Sequence, residues 1–234
     1  MNFLNKLNGG KLIVSCQALE GEPLHSPVIM GKMALAAKQG GANGIRANSV
    51  EDIQAIKKEV DLPVIGIIKK DYEDSSVFIT ATLDEVKLLL DSDVDMIALD
   101  ATDRKRPNNE ILASIVHFVR ENAPNMELMA DVSTLEEAIE ADRLGFDCVS
   151  TTLVGYTDET KGQSLFDQDF HILREMKDKV SIPVVAEGKL QTPELARQAV
   201  EKGADFVVVG SAITRPQLIT QTFEKAIHPF SERS

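Results

Sequence analysis

Tryptophan is missing from this 234-residue chain, cysteine occurs only twice and histidine only four times. Without tryptophan the core has to be filled by Val, Ile, Leu, Ala and a few Phe, and a hydrophobic share of 43% is ample for that. Cys16 and Cys148 both fall inside apolar runs, which suits buried thiols in a reducing compartment better than a secreted disulfide framework. No apolar stretch reaches membrane-spanning length, and the opening MNFLNKLNGG lacks the apolar centre of a secretion signal, so a cytoplasmic protein is expected. Basic residues are scarce: 25 Lys and Arg against 37 Asp and Glu leave a net charge of −12. That balance argues against nucleic acid or an anionic membrane surface as a partner, although a local positive cluster could still hold a small anion.

Two signatures are lacking as well. There is no G-x-G-x-x-G turn, which an open doubly wound sheet would need after an early strand, and no G-x-S-x-G elbow for a serine nucleophile. His117, His171 and His228 sit in helical patterns and His25 in a long loop, so no strand ends in histidine. The His-and-Asp cage of a metal-dependent sugar-phosphate epimerase is therefore missing, and neither a metal nor an organic cofactor is expected. A carboxylate-only Mg2+ site at Asp100 and Asp131 is the one metal arrangement the residue types still allow.

What the chain does have is a regular alternation. Strand-like runs occur at 11–16, 42–46, 63–69, 94–100, 126–131, 146–152, 182–187 and 204–210, with helical patterns between most of them. Thr82-Leu-Asp-Glu85 and Ser133-Thr-Leu-Glu136 read as capping boxes, and Thr192-Pro193-Glu194 puts proline at a first helical position. Gly40-Gly41, Gly145 and Gly203 close helices just before strands. Strands 3 and 7 share an entry, Asp61-Leu-Pro63-Val and Ser181-Ile-Pro183-Val. Strands 2, 6 and 8 share Gly-Ala-Asn, Gly-Phe-Asp and Gly-Ala-Asp. A single α/β domain over residues 1–234 is expected, a (β/α)8 TIM barrel with phosphate-binding loops after strands 7 and 8. The long irregular loops, 17–27, 69–82, 101–108 and 153–167, would lie on its rim.

In such a barrel the strand tips converge on one pocket. Here they carry Gln17, Arg46, Lys69, Asp100, Asp131, Thr151, Thr152, Glu187 and Gly210. Gly188 and Gly210 allow a backbone to approach an anion, Ser211 and Thr214 add hydroxyls, and Arg215 offers a fork for phosphate oxygens. A lysine after a buried strand is a usable base once burial lowers its pKa, but strand parity alone does not choose between Lys69 and Lys70. The same desolvation would equally permit a Schiff base. Glu187 would sit beside a bound sugar phosphate, and Asp100 and Asp131 could hold hydroxyls or simply pair with Arg46 or Lys69. Arg46 and Gln17 suit a carbonyl or developing enolate oxygen.

Longer stretches are more specific. LIVSCQALEGEPLHSP at 12–27, GIRANS at 44–49, IGIIKKDY at 65–72, ADVSTLEE at 130–137, GFDCVSTTLVGYT at 145–157, AEGKLQTPE at 186–194 and VVGSAITRP at 208–216 together resemble the N-acetylmannosamine-6-phosphate 2-epimerase (N-acylglucosamine-6-phosphate 2-epimerase) family. The resemblance covers essentially the whole chain. It implies a cofactor-independent epimerisation at C2 of an N-acetylhexosamine 6-phosphate in sialic-acid breakdown. By the same resemblance Lys69 and Glu187 match the catalytic lysine and carboxylate. Gln17, Arg46 and Asp131 match substrate contacts, and Gly188, Lys189, Gly210, Ser211 and Arg215 match the phosphate site; Thr152, from its place at a strand tip, is expected to be a further substrate contact. Lys70, Lys189 and Ser211 depart from the family's more frequent Arg, Arg and Gly. Another phosphosugar barrel enzyme working through a Schiff base on Lys69, or a non-catalytic sugar-phosphate binder, are the alternative readings. A phosphosugar is the expected partner, and an exposed apolar helix face would make a homodimer.

Overall fold

The computed structural model describes residues 3–7 and 9–228. Eight strands pair in parallel, each with the next: β1 (Leu12–Cys16), β2 (Gly44–Asn48), β3 (Val64–Ile67), β4 (Met96–Asp100), β5 (Glu127–Asp131), β6 (Cys148–Ser150), β7 (Val184–Glu187) and β8 (Phe206–Val209). β8 pairs back onto β1, so the sheet is the closed barrel that the alternation implied. Helix α1 (Phe3–Lys6) precedes the barrel. Helices α2 (Pro27–Gln39), α3 (Val50–Glu59), α4 (Leu83–Leu90), α5 (Leu112–Asn122), α6 (Leu135–Leu144), α7 (Asp167–Lys179) and α8 (Pro193–Glu201) follow β1 to β7 in turn. A short turn of helix, α9 (Ser211–Thr214), and then α10 (Pro216–Ile227) follow β8.

The two-residue period of the strands sorts their side chains. Val14, Ile45, Ala47, Ile97, Leu99 and Leu128 face outward and pack with the helices in one cluster. Ile13, Ile65, Ile67, Met96, Met129, Val185 and Phe206 form a second cluster, which fills the barrel. From below, Phe3 of α1 plugs that interior, only 1% exposed, with its ring 6.3 Å from that of Phe206. Both cysteines are free and buried. Burial, with Asp52 nearby, pushes the Cys16 thiol up to about 12, so it is an inert core residue.

Two strand limits differ from the sequence expectation in ways that matter. β2 runs on to Asn48, so Arg46 is an interior residue of the strand and not its tip. β3 stops at Ile67, so Lys69 lies beyond the ladder. The second capping box is shifted by one residue: Thr134 caps α6, accepting from the Glu137 amide at 3.2 Å, while Ser133 donates its N–H and hydroxyl to the Glu137 carboxylate at 2.7 and 2.9 Å. Thr82 with Glu85 on α4 and Thr192 with Pro193 on α8 stand as read.

The weak internal repeat has a physical meaning at the barrel floor. Asn43, Asp95, Asp147 and Asp205 each precede an even-numbered strand and accept, with a side-chain oxygen, an N–H from the first or second residue of the strand before. Each returns its own N–H to the carbonyl of that same residue: Asn43 to Leu12, Asp95 to Val64, Asp147 to Leu128 and Asp205 to Val184. The three aspartates also hold a cation from the helix that leads into the earlier strand of each pair, Lys57 of α3 at 2.5 Å, Arg120 of α5 at 2.7 Å and Lys177 of α7 at 2.8 Å. Asp95 is the most enclosed of the three. Burial by itself would raise its pKa, but hydrogen bonds from Lys57, Lys6 and the Val64 amide outweigh that and hold it below the usual range.

Removing this clamp should cost stability in a pH-dependent way. Asp95→Ala strands two lysines, Lys6 and Lys57, and a buried strand amide, a loss of about 2–3 kcal/mol. A depressed carboxyl contributes fully above its unfolded pKa, about 3.9, and loses that contribution as pH falls through the lower folded value. The gap between wild type and variant in urea melts should therefore be wide at pH 7 and narrow steadily below about pH 4. A gap that stays constant down to pH 2 would show that the carboxylate is not what holds the strands.

Candidate active site

The C-terminal ends of the strands enclose a cavity of about 380 Å³, within the range of small-ligand sites. Gln17, Arg46, Lys69, Thr152 and Glu187 line its floor side, and Gly188, Lys189, Gly210, Ser211 and Arg215 line one wall. Residues scattered over two hundred positions thus share one pocket. Leu19, Phe78, Leu153 and Tyr156 supply its apolar surface.

Arg46 is the centre of the floor, with a side chain 1% exposed. Its inward parity on β2 carries the guanidinium up through the barrel, where one nitrogen donates to Asp131 Oδ2 at 2.5 Å. The other donates to Asp131 Oδ1 at 3.0 Å and to Glu187 Oε2 at 2.8 Å. The Thr152 hydroxyl bridges the same two carboxylates, 2.7 Å from Asp131 and 3.1 Å from Glu187. Burial opposes the charge on Arg46, but the paired Asp131 and Glu187 more than compensate, so its pKa is raised and the cation is permanent. For Glu187 burial dominates: although Arg46 pulls the other way, Asp131 adds to the rise, and its carboxyl sits above the usual range. The backbone of Glu187 is held as well, because the Thr151 hydroxyl donates to its carbonyl at 2.7 Å and accepts from its N–H at 3.0 Å.

The structure decides between the two lysines. Lys69 keeps the inward parity of Ile65 and Ile67 and lines the cavity, whereas Lys70 lies over the Tyr72 ring at 5.0 Å. Past β3 the chain turns into a small hairpin. Lys69 bridges Ile79, the Lys70 N–H donates to Phe78 at 3.0 Å, and Thr80 N–H donates to Ile68 at 2.7 Å. Burial and the nearby Arg46 lower the Lys69 amine to about 8, against the raising effects of Glu187 and Asp131. That lowering brings the amine towards the range in which a lysine acts as a general base near neutral pH.

In the wall, β7 is left through a reversal: Gly188 at φ 119° takes a conformation that side-chain residues rarely adopt, and Lys189 follows at φ 54°. The Lys189 ammonium rests over the Tyr156 ring at 5.1 Å. Across from it, Thr214 donates to the Ser15 carbonyl at 2.8 Å and pins the loop after β8 against β1. Arg215 pairs with Glu22 at 3.2 Å, joining that loop to the one after β1. The wall therefore gathers two cations and the glycine-containing backbone at Gly188 and Gly210 beside the cavity.

Several expected contacts fall elsewhere. Asp131 is fully buried behind Arg46 and does not line the cavity, its oxygens taken by the guanidinium and Thr152. Asp100 neither orients Lys69 nor reaches the pocket: it binds Arg104 at 2.5 Å and the Thr102 hydroxyl at 2.7 Å. With both aspartates committed to arginines, the Mg2+ arrangement weighed from sequence has no donor set. Among the described residues Asp103, Glu137 and Glu159 bring carboxylates within 4.8 Å, but outside this cavity. Nothing in the sequence points to Phe78 or Glu22 at the site, and of Thr151 it shows only that it ends a strand. Only the hairpin and the neighbouring loops give them their places, and no motif spacing signals that.

The closed barrel with a charged pocket at its C-terminal mouth places the chain among (β/α)8 proteins. Residues 30–229 match the family model described as "Putative N-acetylmannosamine-6-phosphate epimerase". A protein of Shouchella clausii named "Putative N-acetylmannosamine-6-phosphate 2-epimerase" is 63% identical over 97% of this chain and 100% of its own length. One of the same name from Enterobacter sp. (strain 638) is 61% identical over 95% of this chain and 94% of its own. The solved N-acetylmannosamine-6-phosphate 2-epimerase from Clostridium perfringens superposes with a TM-score of 0.91 at 53% identity, covering 97% of this chain and 96% of that one. The chain belongs to the N-acetylmannosamine-6-phosphate epimerase family.

The charge balance around Arg46 can be tested without substrate. Asp131→Asn breaks one side of a buried pair and should cost about 3 kcal/mol, the low end for such losses because Glu187 remains. Removing that negative neighbour should also lower the Glu187 pKa, read from the carbon-13 shift of its carboxyl during titration. A Glu187 titration that stays put or moves up would contradict the coupling.

Proposed function

We propose that the protein interconverts N-acetylmannosamine 6-phosphate and N-acetylglucosamine 6-phosphate, as an isomerase of amino-sugar and sialic-acid catabolism. The family assignment supports the substrate. The observation that carries the chemistry is a lysine lowered to about 8 in one pocket with a raised carboxyl and a permanent buried cation. In the open-chain sugar C2 lies beside the C1 aldehyde, so its proton is removable. Lys69 takes it, the enolate oxygen is held by Arg46 and Gln17, and the proton returns on the other face. Glu187, whose carboxyl is raised by burial and by Asp131, serves either as the second acid at C2, or as the acid that opens the ring while Lys69 alone shuttles the proton through a substrate hydroxyl. Gly188, Lys189, Gly210, Ser211 and Arg215 hold the 6-phosphate, and the apolar patch of Phe78 and Leu153 faces the rest of the sugar. None of these steps requires a cofactor.

A homodimer completes the proposal. Helix α10 is amphipathic in pattern, yet none of its residues is buried, and Phe223 and Ile227 are 67% and 69% exposed. A second copy is the partner that would cover them. Among the described residues no helix is long and apolar enough to cross a membrane. That, with two buried free thiols, supports a cytoplasmic setting.

The direct test adds N-acetylmannosamine 6-phosphate in D2O with metal chelated and follows the sugar by proton NMR. N-acetylglucosamine 6-phosphate carrying deuterium at C2 is expected from wild type, with turnover abolished in a folded Lys69→Ala variant. Appreciable product from that variant would refute the base, and borohydride trapping of the sugar on Lys69 would favour Schiff-base chemistry. Glu187→Gln separates the two carboxyl roles: C2 exchange in one epimer alone fits a second acid, and loss of exchange in both fits ring opening. Arg215→Ala should mainly raise KM, by about tenfold or more for a lost charged contact to phosphate.

For the dimer, sedimentation of Phe223→Asp should show a monomer where wild type sediments as a pair. A monomeric wild type at micromolar concentration would overturn it.

A further inference from the structure

Lys69 stands two residues beyond the end of β3, where no strand ladder holds it, and its surroundings show how that gap is closed. Along β2 and β3 the register pairs Arg46 with Ile65 and Asn48 with Ile67, and Ser49 continues it by donating its N–H to the Ile67 carbonyl at 2.9 Å. The alternation of a parallel ladder next requires the Lys69 N–H to bond the Ser49 carbonyl. That carbonyl is already used, because it accepts the Ile53 N–H at 3.1 Å and so opens helix α3. Ser49 can leave the strand and start the helix in a single residue only by adopting φ 75°, ψ 151°, a region that belongs almost entirely to glycine. Its hydroxyl accepts the Asp52 N–H at 3.2 Å and fastens the same turn. The Lys69 amide is left without its ladder partner, and the side-chain carbonyl of Asn48 accepts it instead, at 2.8 Å.

We propose that Asn48 is a positioning residue for Lys69: its side chain takes the ladder place that Ser49 has given up to α3, and thereby fixes where the lysine leaves the barrel wall. Asn48 does not line the cavity and acts only through the backbone of its neighbour. The far side of the same residue is held by the bridge to Ile79, so Lys69 is gripped from β2 on one flank and from the hairpin on the other. Without the Asn48 contact one flank is free, and the amine can swing off the floor towards water. The charged groups that set its environment, Arg46 from β2, Asp131 from β5, Glu187 from β7 and Arg215 after β8, then act on it from altered distances. The strained Ser49 is the reason an asparagine is needed there, since a regular strand exit would have supplied a backbone carbonyl.

The role rests on the reading of Lys69 as the base, so the test uses two readouts that fail separately. The first is turnover of N-acetylmannosamine 6-phosphate. Asn48→Ala should lower kcat by up to about 100-fold, the loss that a displacement of about 1 Å brings, with KM held within about twofold. The second needs no substrate: titration of Lys69 followed by the carbon-13 resonance of its Cε. There Asn48→Ala should shift the pKa from about 8 towards the ordinary lysine value of about 10.4. Asn48→Asp keeps the acceptor, so it should fold, recover most of the lost kcat and raise the Lys69 pKa through its added charge. It also serves as the second variant should Asn48→Ala fail to fold. The proposal is overturned if Asn48→Ala keeps both kcat and the Lys69 titration of wild type. It is equally overturned if Asn48→Asp folds yet stays as slow as an unanchored variant, or if kcat falls only in step with the folded fraction. Should wild type itself catalyse nothing while the Lys69 titration still responds to Asn48, the functional reading fails and the positioning role stands.

Discussion

A guanidinium almost wholly withdrawn from water sets the terms for everything around it. Arg46 stands in the barrel interior, where an unpaired charge would be very costly, so two carboxylates must stand against it. Asp131 supplies both oxygens of a fork and Glu187 one more, from strands on the far side of the barrel. The arrangement forces a compromise on Glu187: it is an ion-pair partner and, through burial and the proximity of Asp131, a carboxyl raised towards proton transfer. It forces another on Lys69, whose amine is lowered partly because the same cation lies near. The buried cation thereby lowers the amine of Lys69, while burial and Asp131 raise the Glu187 carboxyl beside it, the opposite shifts that acid–base chemistry on a sugar uses.

Support for those groups comes from their backbones. Thr151 clasps both main-chain groups of Glu187, Asn48 and the hairpin hold Lys69, and Thr214 ties the loop after β8 to β1. Hydroxyl and amide side chains do this work at the strand ends, where the ladder runs out and backbone groups would otherwise be left to water. The rim is therefore held by short polar side chains that differ from loop to loop.

The barrel was legible in the sequence because its signals are local. Apolar runs, capping residues and glycine stops recur at the right intervals, and most residues at the ends of those runs gather in one pocket, Asp100, Asp131 and Thr151 excepted. Where the reading departed from the structure, long-range pairing decided. Whether Arg46 ends β2 or lies inside it depends on how far β3 accompanies it, and Asp100 turned to Arg104, four residues along, and not to the pocket. Lys69 could not be told from Lys70 by counting, because its parity is kept beyond the strand by a hairpin that no short motif announces. The importance of Asn48 was equally hidden, since it follows from a backbone conformation at the next residue.

The paired clamps on the barrel floor bear on the order in which such a chain assembles. Each joins residues separated by 31, 31, 19 and 21 positions, all within one strand–helix–strand unit. Such short loops close at little entropic expense, so each quarter of the barrel contains its own staple. The contacts of Arg46 span 85 and 141 positions, which makes them late by the same reasoning. A nascent chain would thus gain its symmetrical base piece by piece, while the arginine stays hydrated until the seventh strand arrives. Neutralising that cation becomes the closing step that admits it to the dry interior, and the reactive pocket comes into being only when the ring is already shut.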